Sequence, residues 1–358
     1  MFDRLAVAEQ RLGELNAKAC DPAVIGDQNA FREVMREIKS LTPLVDAFSR
    51  YKAARDTERE AQEMLSGGGL DAEFREMLLG ELEAARASIE STSEELKILL
   101  LPRDPNDDRN VIVEIRGGAG GDEAALFAGS LMRMYTMYAE ARRWKTEVMS
   151  SSETELGGYK EVSFMIVGDG AYSRLKYESG VHRVQRVPDT ESQGRVHTST
   201  VTVAVLPEAD DVEIEINPVD LKFDTFRSGG AGGQHVNTTD SAVRITHIPT
   251  GVVVECQDER SQFKNKDRAM KLLKTRLLDA KRRQQESAIA ADRKAQVGTG
   301  DRSERIRTYN FPQGRLSDHR IGLTLYRLEA IMQGDLDEVI DSLVAAERAK
   351  LLEQSMEN

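Results

Sequence analysis

The segment that decides the fold class is VIVEIRGGAGGDEAALFAGSLMRMYTMYAEARR, residues 111–143. It begins with residues of strand character, passes through a glycine-rich turn and continues with the apolar spacing of a helix. Because such a helix packs its apolar face on a sheet, this part of the chain is predicted to be a mixed α/β domain. The apolar positions that face the sheet are Leu131, Met134, Tyr135 and Tyr138.

The residues before this segment have a helical pattern. Apolar residues at intervals of three and four form two stripes, residues 31–38 and 74–89. The glycines of SGGGLD, residues 66–71, separate the two stripes, and the prolines of LPRDPNDDRN, residues 101–110, end the pattern. We therefore predict a helical hairpin or a small bundle over residues 1–105.

Strands, one hairpin and a long helix are predicted after the segment. The helix is expected to begin after Ser261 as its cap and to run to about Ala295. An arginine-rich loop, residues 297–320, is expected to lead into one more strand and a closing helix, residues 336–354. The predicted strands are 159–168, 181–187, 197–206 and 211–216, and the hairpin of residues 241–257 turns at Pro249, Thr250 and Gly251.

The predicted fold class is therefore α+β multidomain. An N-terminal helical domain covers residues 1–105 and a mixed α/β domain covers residues 106–222. A small α+β domain with a hairpin and a long basic helix covers residues 223–304. The carboxy-terminal strand and helix segment, residues 305–358, is expected to complete the mixed α/β domain.

Composition indicates a cytoplasmic protein. The 358 residues are 40% hydrophobic and 31% charged, and the longest apolar runs are far shorter than the roughly 20 residues of a membrane span. The N-terminal residues form an amphipathic pattern with early acids, which is not that of a secretion signal. Cys20 and Cys256 lie far apart, which favours a reducing compartment and no structural metal.

The net charge of −12 taken alone argues weakly against a polyanionic partner. Charge is segregated, however, because residues 260–283 carry ten bases and two acids. Such a stretch is suited to phosphate contact, although a solvated helix face is the alternative interpretation.

The first glycine-rich motif is RGGAGGDEA, residues 116–124. Glu123 stands where a dinucleotide-binding motif requires its last glycine, and the lysine of a P-loop is missing. Asp122 and Glu123 would also repel a phosphate while stabilising the helix start. The motif indicates one of two structures. The first is a pocket lined by backbone groups and a carboxylate, which would bind the uncharged edge of a group such as a base. The second is merely a tight turn.

The second motif is VHRVQRVPDTESQGRVHTST, residues 181–200. It contains an amide, two hydroxyls and a flat ring, supplied by Gln185, Thr190, Thr198 and His197. Such a set is typical of a site that reads unstacked RNA bases. In a strand His197 and Thr198 would point to opposite faces, so both can serve only if they straddle a splayed pair of bases. Polar residues of an edge strand are the alternative.

The third motif is FRSGGAGGQHVNTTDSAVRITH, residues 226–247. A glutamine amide has no pKa near neutrality, so Gln234 cannot be a general base. Chemistry here would depend on a positioned water and on backbone N–H groups, for which glycines allow close approach. His235 is read as structural or exposed rather than catalytic.

Together the three motifs resemble those of the bacterial peptide chain release factors that read UAA and UAG, and the similarity spans essentially the whole chain. The resemblance implies that Gly232, Gly233 and Gln234 enter the peptidyl transferase centre, where the Gln234 backbone N–H stabilises the transition state and the leaving ribose oxygen. The Gln234 side chain would help to admit water and exclude other nucleophiles. It also implies that Gln234 is N5-methylated. No stand-alone active site, cofactor or metal is expected.

The resemblance also implies roles in reading the codon. Gly120 and Glu123 would hold the first uridine, and Thr190 would read the first and second positions. His197 would insert between the second and third bases.

Gln185 and Thr198 would accept either purine at the third position. One departure from the family pattern is Asp189, an acid between Pro188 and Thr190 where a small or neutral residue is expected. The Ser-Pro-Phe element of the UGA-reading relative does not occur, which favours UAG over UGA.

The implied partners are both ribosomal subunits with their rRNA, the mRNA stop codon, peptidyl-tRNA, a glutamine N5-methyltransferase and a class II release-factor GTPase. The chain is expected to be a monomer without a membrane partner. Residues 297–307 would form a switch loop, with Gly298, Gly300 and Arg302 as its main residues. A codon-independent ribosome-rescue hydrolase and a non-catalytic ribosome-binding regulator are the alternative functions.

Overall fold

The computed structural model describes residues 2–67, 71–102, 104–187, 194–209, 214, 216–227, 240–259 and 261–357. The chain divides into two compact units. One comprises residues 1–104 and 341–358, and the other residues 105–340. Within the described ranges, no helix is both long enough and apolar enough to cross a membrane.

The first unit is helical, as predicted. Its apolar core is formed by side chains of three helices: Leu5, Leu44, Ala47, Phe48 and Leu96. The predicted break at residues 66–71 is confirmed, and the side chain of Asp71 caps the helix that follows by accepting from the Phe74 N–H. The helices are α1 (Phe2–Ala19), α2 (Pro22–Ile25), α3 (Gln28–Ser66) and α4 (Ala72–Leu99).

The second unit contains two sheets together with helices, so the α+β class is confirmed. Its strands are β1 (Val111–Gly117), β2 (Lys145–Glu153), β3 (Tyr159–Val167), β4 (Gly180–Arg186), β5 (His197–Pro207), β6 (Leu221–Phe226), β7 (Ala242–His247), β8 (Val252–Cys256), β9 (Arg305–Asn310), β10 (Arg315–Asp318) and β11 (Leu323–Leu325). The helices are α5 (Asp122–Ala141), α6 (Ala171–Leu175), α7 (Gln262–Val297), α8 (Leu328–Met332) and α9 (Asp337–Glu357), of which α9 extends beyond this unit.

The larger sheet has eight strands in the order β11-β10-β9-β4-β5-β1-β3-β2. All neighbours are antiparallel except β4 and β9, which are parallel. Helix α5 covers one face of this sheet, and the predicted apolar stripe is confirmed, because its four side chains are at most 2% exposed. The strands that carry the second motif, β4 and β5, therefore lie in the middle of the sheet.

The smaller sheet has the order β6-β7-β8 and packs against α7 through Val243, Ile245, Val254, Leu273 and Leu277. The predicted hairpin and long helix are confirmed. Ser261 occupies the N-cap position of α7, but its side chain makes no capping hydrogen bond. Of the predicted strand at residues 211–216, residues 214 and 216 are not in a strand, and the other four lie outside the described residues.

The prediction of a loop over residues 297–320 is wrong, because β9 and β10 lie within it. The cause is Arg307, a fully buried arginine that interrupts the apolar alternation by which a strand is recognised. Its charge is neutralised inside the protein by Glu178 and Asp318. The single strand expected after the loop is present as β11.

Candidate nucleic-acid interface

The glycine loop, residues 117–121, lies against the first residues of β5. Backbone hydrogen bonds of 2.8 Å join the Gly118 N–H to the Thr200 carbonyl and the Thr200 N–H to the Ala119 carbonyl. Gly120 has a φ of 137°, and a Cβ on it would lie 2.2 Å from the Ser199 Oγ. Only glycine is therefore accommodated there, and the loop is brought directly beside the strand that begins with His197.

Glu123 lies in the first turn of α5 and is 4% exposed. The Arg186 Nε donates to its Oε1 over 2.5 Å, and the Arg186 guanidinium lies 5.6 Å from the centre of the Phe311 ring. The other carboxylate oxygen, Oε2, is buried and has no hydrogen-bond partner among the described residues. Since a buried acceptor without a partner is costly, this oxygen is a candidate for a donor supplied by a ligand.

The ends of β4 and β5 arrange the side chains of the second motif in two rows. Gln185 stands opposite Thr198, and Arg186 stands opposite His197. Directly opposed residues share a face and successive residues alternate, so the reading row, Gln185 with Thr198, lies on one face and His197 on the other. The predicted alternation of His197 and Thr198 is confirmed, and the α5 face carries His197 with the Glu123 ion pair.

Gln185 is oriented by the neighbouring strand β9. Its Oε1 accepts a hydrogen bond of 3.1 Å from the Asn310 Nδ2, and its carbonyl accepts one of 3.0 Å from the Phe311 N–H. With Oε1 occupied, the amide NH₂ of Gln185 is the group that can face a ligand on the reading row.

Residues 297–307, the predicted switch loop, begin where α7 ends and include the first residues of β9. Gly298 is the C-cap of α7 with a φ of 57°, and the carboxylate of Glu304 accepts from the Thr299 N–H at 2.8 Å. The carbonyl of Gly300 accepts from the Thr200 hydroxyl at 3.3 Å. Arg302 is exposed in a short 3₁₀ turn.

The same Thr200 hydroxyl also accepts from the Ala119 N–H at 3.0 Å. Thr200 therefore links the glycine loop to the switch loop. The last turns of α7 dock on β5 through Gln296, whose amide makes hydrogen bonds of 2.8 and 2.9 Å to the backbone of Val205.

A buried charge network supports β4 from the α5 face. Arg307 makes hydrogen bonds of 2.6 and 2.9 Å to Glu178 and one of 3.2 Å to Asp318. Burial opposes the ionisation of Glu178, but the Arg307 charge prevails and holds the pKa of Glu178 below its ordinary value. Burial, reinforced by the same charge, lowers the pKa of His182 to about 4, so this imidazole is neutral near pH 7.

The basic stretch of the sequence lies on α7. The nine described bases among residues 260–283 are all exposed, while the apolar positions of the helix face the small sheet. Both interpretations of the stretch, phosphate contact and solvated face, are compatible with this arrangement.

Several predicted site residues lie outside the described residues: Pro188, Asp189, Thr190, Gly232, Gly233, Gln234 and His235. The segment of residues 228–239 lies in sequence between β6 and β7, and Phe226 of β6 is directly paired with Ala242 of β7. Its flanking strands are thus held side by side.

Sequence reasoning missed Arg186, Asn310, Thr200 and Gln296. Arg186 and Thr200 lie within the second motif, but their partners are distant in sequence, and Asn310 was placed in a loop. One signal in the sequence could have indicated these residues. Two consecutive polar residues at the end of a predicted strand indicate that this end of the strand extends beyond the apolar core.

Comparisons with known proteins agree with these motifs. The PCRF domain family matches residues 8–203 and the RF-1 domain family matches residues 210–320. Peptide chain release factor 1 of Acetivibrio thermocellus is 60% identical over 358 residues, which cover 100% of this chain and 99% of that protein. Peptide chain release factor 1 of Clostridioides difficile is 61% identical over 350 residues, 98% of this chain and 99% of that protein.

A solved structure described as RF2 of Thermus thermophilus has a TM-score of 0.48 and 37% identity, and the match covers 95% of this chain and 94% of that chain. The two matching domains and the full-length relatives define a translational release factor. The chain belongs to the peptide chain release factor 1 family, which confirms the resemblance and the function in translation termination predicted from the motifs.

Proposed function

We propose that the chain recognises the stop codons UAA and UAG on the ribosome and promotes hydrolysis of the peptidyl-tRNA ester. The observation that carries the codon-reading half of the proposal is the buried Oε2 of Glu123, an acceptor that has no partner among the described residues and lies beside the first residues of β5. An N–H of an RNA base would satisfy it. Under the alternative interpretation, in which these are polar edge-strand residues that bind no ligand, the free-energy cost of the buried, unpaired oxygen would not be compensated.

The base-reading roles follow the geometry of the two rows. Gly120 and Glu123 hold the first uridine, and His197 stacks on the α5 face between the second and third bases. Gln185 and Thr198 contact the third purine on the opposite face, where the Gln185 NH₂ can donate to an acceptor that adenine and guanine share and the Thr198 hydroxyl can donate or accept.

Thr190, which lies in sequence between β4 and β5, reads the first and second positions. Asp189, next to Thr190 in sequence, brings a negative charge to the codon-reading motif, so it is expected to slow codon binding modestly.

Catalysis belongs to Gly232, Gly233 and Gln234 of the third motif. The backbone N–H of Gln234 stabilises the negative charge that develops on the ester, and its side chain positions the water. Gln234 is also the proposed site of N5-methylation. None of these groups titrates near neutrality, so they supply no general base, and we expect the residues to act only inside the peptidyl transferase centre.

The switch loop would couple the two sites. Gly298 and Gly300 have positive φ, which permits a change of direction at the end of α7, and Arg302 is available for RNA. The domain assignment of the sequence, residues 106–222 with 305–358 for codon reading and 223–304 for catalysis, is part of this proposal.

Membership of the family implies the ribosome, mRNA and tRNA as partners. We further propose a glutamine N5-methyltransferase and a class II release-factor GTPase as partners, and a monomeric protein of the cytoplasm. The exposed bases of α7 are the proposed contact with ribosomal RNA.

The proposal is tested by release of a labelled peptide from ribosomes programmed with UAA, UAG, UGA or a sense codon. Release is expected at UAA and UAG alone. Gly233→Ala should abolish release while stop-codon-dependent ribosome binding stays nearly intact, and Thr190→Ala should slow release at UAG by about tenfold or more. Gly80→Ala, at an exposed position of α4, is the matched control and should release normally.

The alternatives predict other results. Release at the sense codon as well would support a codon-independent rescue hydrolase. Binding without release by the unaltered chain would support a non-catalytic regulator. Loss of ribosome binding in Gly233→Ala would contradict the division of labour between the two sites.

A further inference from the structure

Three arginines and one histidine converge on the sheet face that carries the reading row. Arg183 stands opposite Thr308 in the parallel pair β4/β9, and its Nε donates to the Thr308 Oγ1 over 3.2 Å. The Nε2 of His319 lies 2.8 Å from the same oxygen. Arg305, which begins β9, pairs with Val181 of β4, and Arg315, which begins β10, pairs with Asn310 of β9. We call Arg183, Arg305, Arg315 and His319 the arginine cluster.

The cations of the cluster are close enough to repel one another. Burial and then the charge of Arg305 lower the pKa of Arg183. Burial, followed by the charges of Arg305, Arg183 and Arg315, lowers the pKa of His319. The Nε atoms of Arg305 and Arg315 are buried without a hydrogen-bond partner among the described residues.

The carboxylate of Asp318 acts in the opposite direction on the pKa of His319, but burial and the charges of Arg305 and Arg183 outweigh it. Asp318, next to His319 in sequence, turns toward the opposite face, where it binds Arg307 and Arg320. Within the part of the chain that the structure describes, Arg183, Arg305 and Arg315 form no ion pair.

The two faces of the same strands therefore differ in whether buried charge is compensated. On the α5 face Arg307 is matched by Glu178 and Asp318. On the other face three half-buried arginines have no ion-pair partner among the described residues, an arrangement that costs free energy until an anion is bound. His319 is exposed, so an anion can reach the cluster from solvent.

The position of the cluster indicates which anion is bound. Arg183 and Gln185 are two residues apart on β4 and share a face, which places their Cα atoms about 7 Å from each other. A nucleotide with its base on the reading row would thus have its backbone near the cluster. Guanidinium groups bind phosphate oxygens through paired N–H donors.

We propose that Arg183, Arg305, Arg315 and His319 form an anion site that holds a phosphodiester of RNA. The site goes beyond the proposed function, because it contacts the RNA backbone and carries no base specificity. It rests on the proposed function only in the choice of RNA as the source of the phosphate.

The test follows the imidazole resonance of His319 in the full-length chain by NMR, assigned with His319→Gln, at constant pH and ionic strength. Two probes are titrated separately: inorganic phosphate and a uridine hexanucleotide with a 5′-hydroxyl. Both are expected to shift the resonance, the hexanucleotide at a lower concentration. Arg315→Gln, at a strand start near the sheet edge, should weaken both by about tenfold.

Lys145→Gln is the matched control, since it removes one positive charge from the strand at the opposite edge of the same sheet. It should leave both affinities unchanged. Trp144 fluorescence verifies that each variant is folded, because this is the only tryptophan of the chain.

Three results overturn the proposal. If neither probe moves the His319 resonance, or if Arg315→Gln and Lys145→Gln have equal effects, the cluster is not an anion site. If phosphate binds but the hexanucleotide does not, the site serves free phosphate and the assignment to RNA is wrong. Failure of the proposed function would instead appear in the peptide-release assay, which these measurements do not use.

Discussion

The two units of the chain use charge in different ways. In the helical unit, Arg50 pairs with Glu95 and Lys52 with Glu9, and these four side chains are 42–58% exposed. In the sheet unit, Arg307 pairs with Glu178 and Asp318, and all three side chains are at most 1% exposed. The helical unit is held by its apolar core, with charge pairs added at the surface, whereas the sheet unit has charges inside its core.

The difference indicates how strongly the loss of one charged side chain should destabilise each unit. An exposed pair can be lost at a cost of about 0.2–1 kcal/mol, because water replaces the missing partner. A buried pair that loses one member leaves a charge without compensation, at a cost of about 3–5 kcal/mol. The strand that carries Gln185 and Arg186 depends on a network of the second kind.

The largest expected effect comes from Arg307→Met. Removal of the guanidinium leaves Glu178 and Asp318 as buried carboxylates, so the free energy of unfolding of the sheet unit should fall by about 3–5 kcal/mol. Urea denaturation followed by fluorescence isolates this unit, because Trp144 is the only tryptophan. Arg50→Met in the helical unit is the control, and its effect should stay below about 1 kcal/mol. Equal losses in the two variants would contradict the comparison.

The next effect concerns pH. The pKa of His182 is about 4 in the folded protein and about 6.5 in an unfolded chain, so the unfolded state binds the proton first as pH falls. Stability should therefore be lost between about pH 6.5 and pH 4, by roughly 3 kcal/mol from this residue. Losses from Glu178 and Asp318, whose pKa values are lowered, begin only near pH 4.

His182→Gln removes this titration. The loss of stability between pH 6.5 and pH 5 should become smaller than in the unaltered chain, as measured by urea denaturation at each pH. The pKa of His319 is also lowered, so the difference between the two proteins isolates His182. Parallel pH profiles would show that His182 does not titrate as expected.

The smallest expected change in stability comes from glycine-to-alanine substitutions, and its sign should differ between two glycines. Gly120→Ala places a Cβ 2.2 Å from the Ser199 Oγ at a φ of 137°, and it should destabilise the sheet unit by about 1–3 kcal/mol. Gly80→Ala in α4 meets no atom within 4 Å and should stabilise the helical unit by about 0.5–1 kcal/mol. Circular dichroism and Trp144 fluorescence follow the two transitions, and opposite signs are the required outcome.

Much of this fold could be predicted from local patterns. The break between α3 and α4, the strand–loop–helix at residues 111–143 and the hairpin before α7 all have short-range signals in glycines and apolar periodicity. β9 and β10 had no such signal, because an inward-facing arginine resembles a loop residue until its distant partners are known. The alternation of His197 and Thr198 could be predicted, since it requires only that the segment is a strand.

The sequence by itself determined the family and the candidate reacting groups, because recognition of a base or an ester depends on which residues are present in each motif. Only the tertiary structure decided the partnerships: Arg186 with Glu123, Thr200 with Gly300, and Arg307 with Glu178, which are 63, 100 and 129 residues apart. Strand order and burial set such pairs, and neither is encoded within a short stretch of chain. For that reason the buried charge that supports β4 and the uncompensated charge on its other face became visible only after the strands were in place.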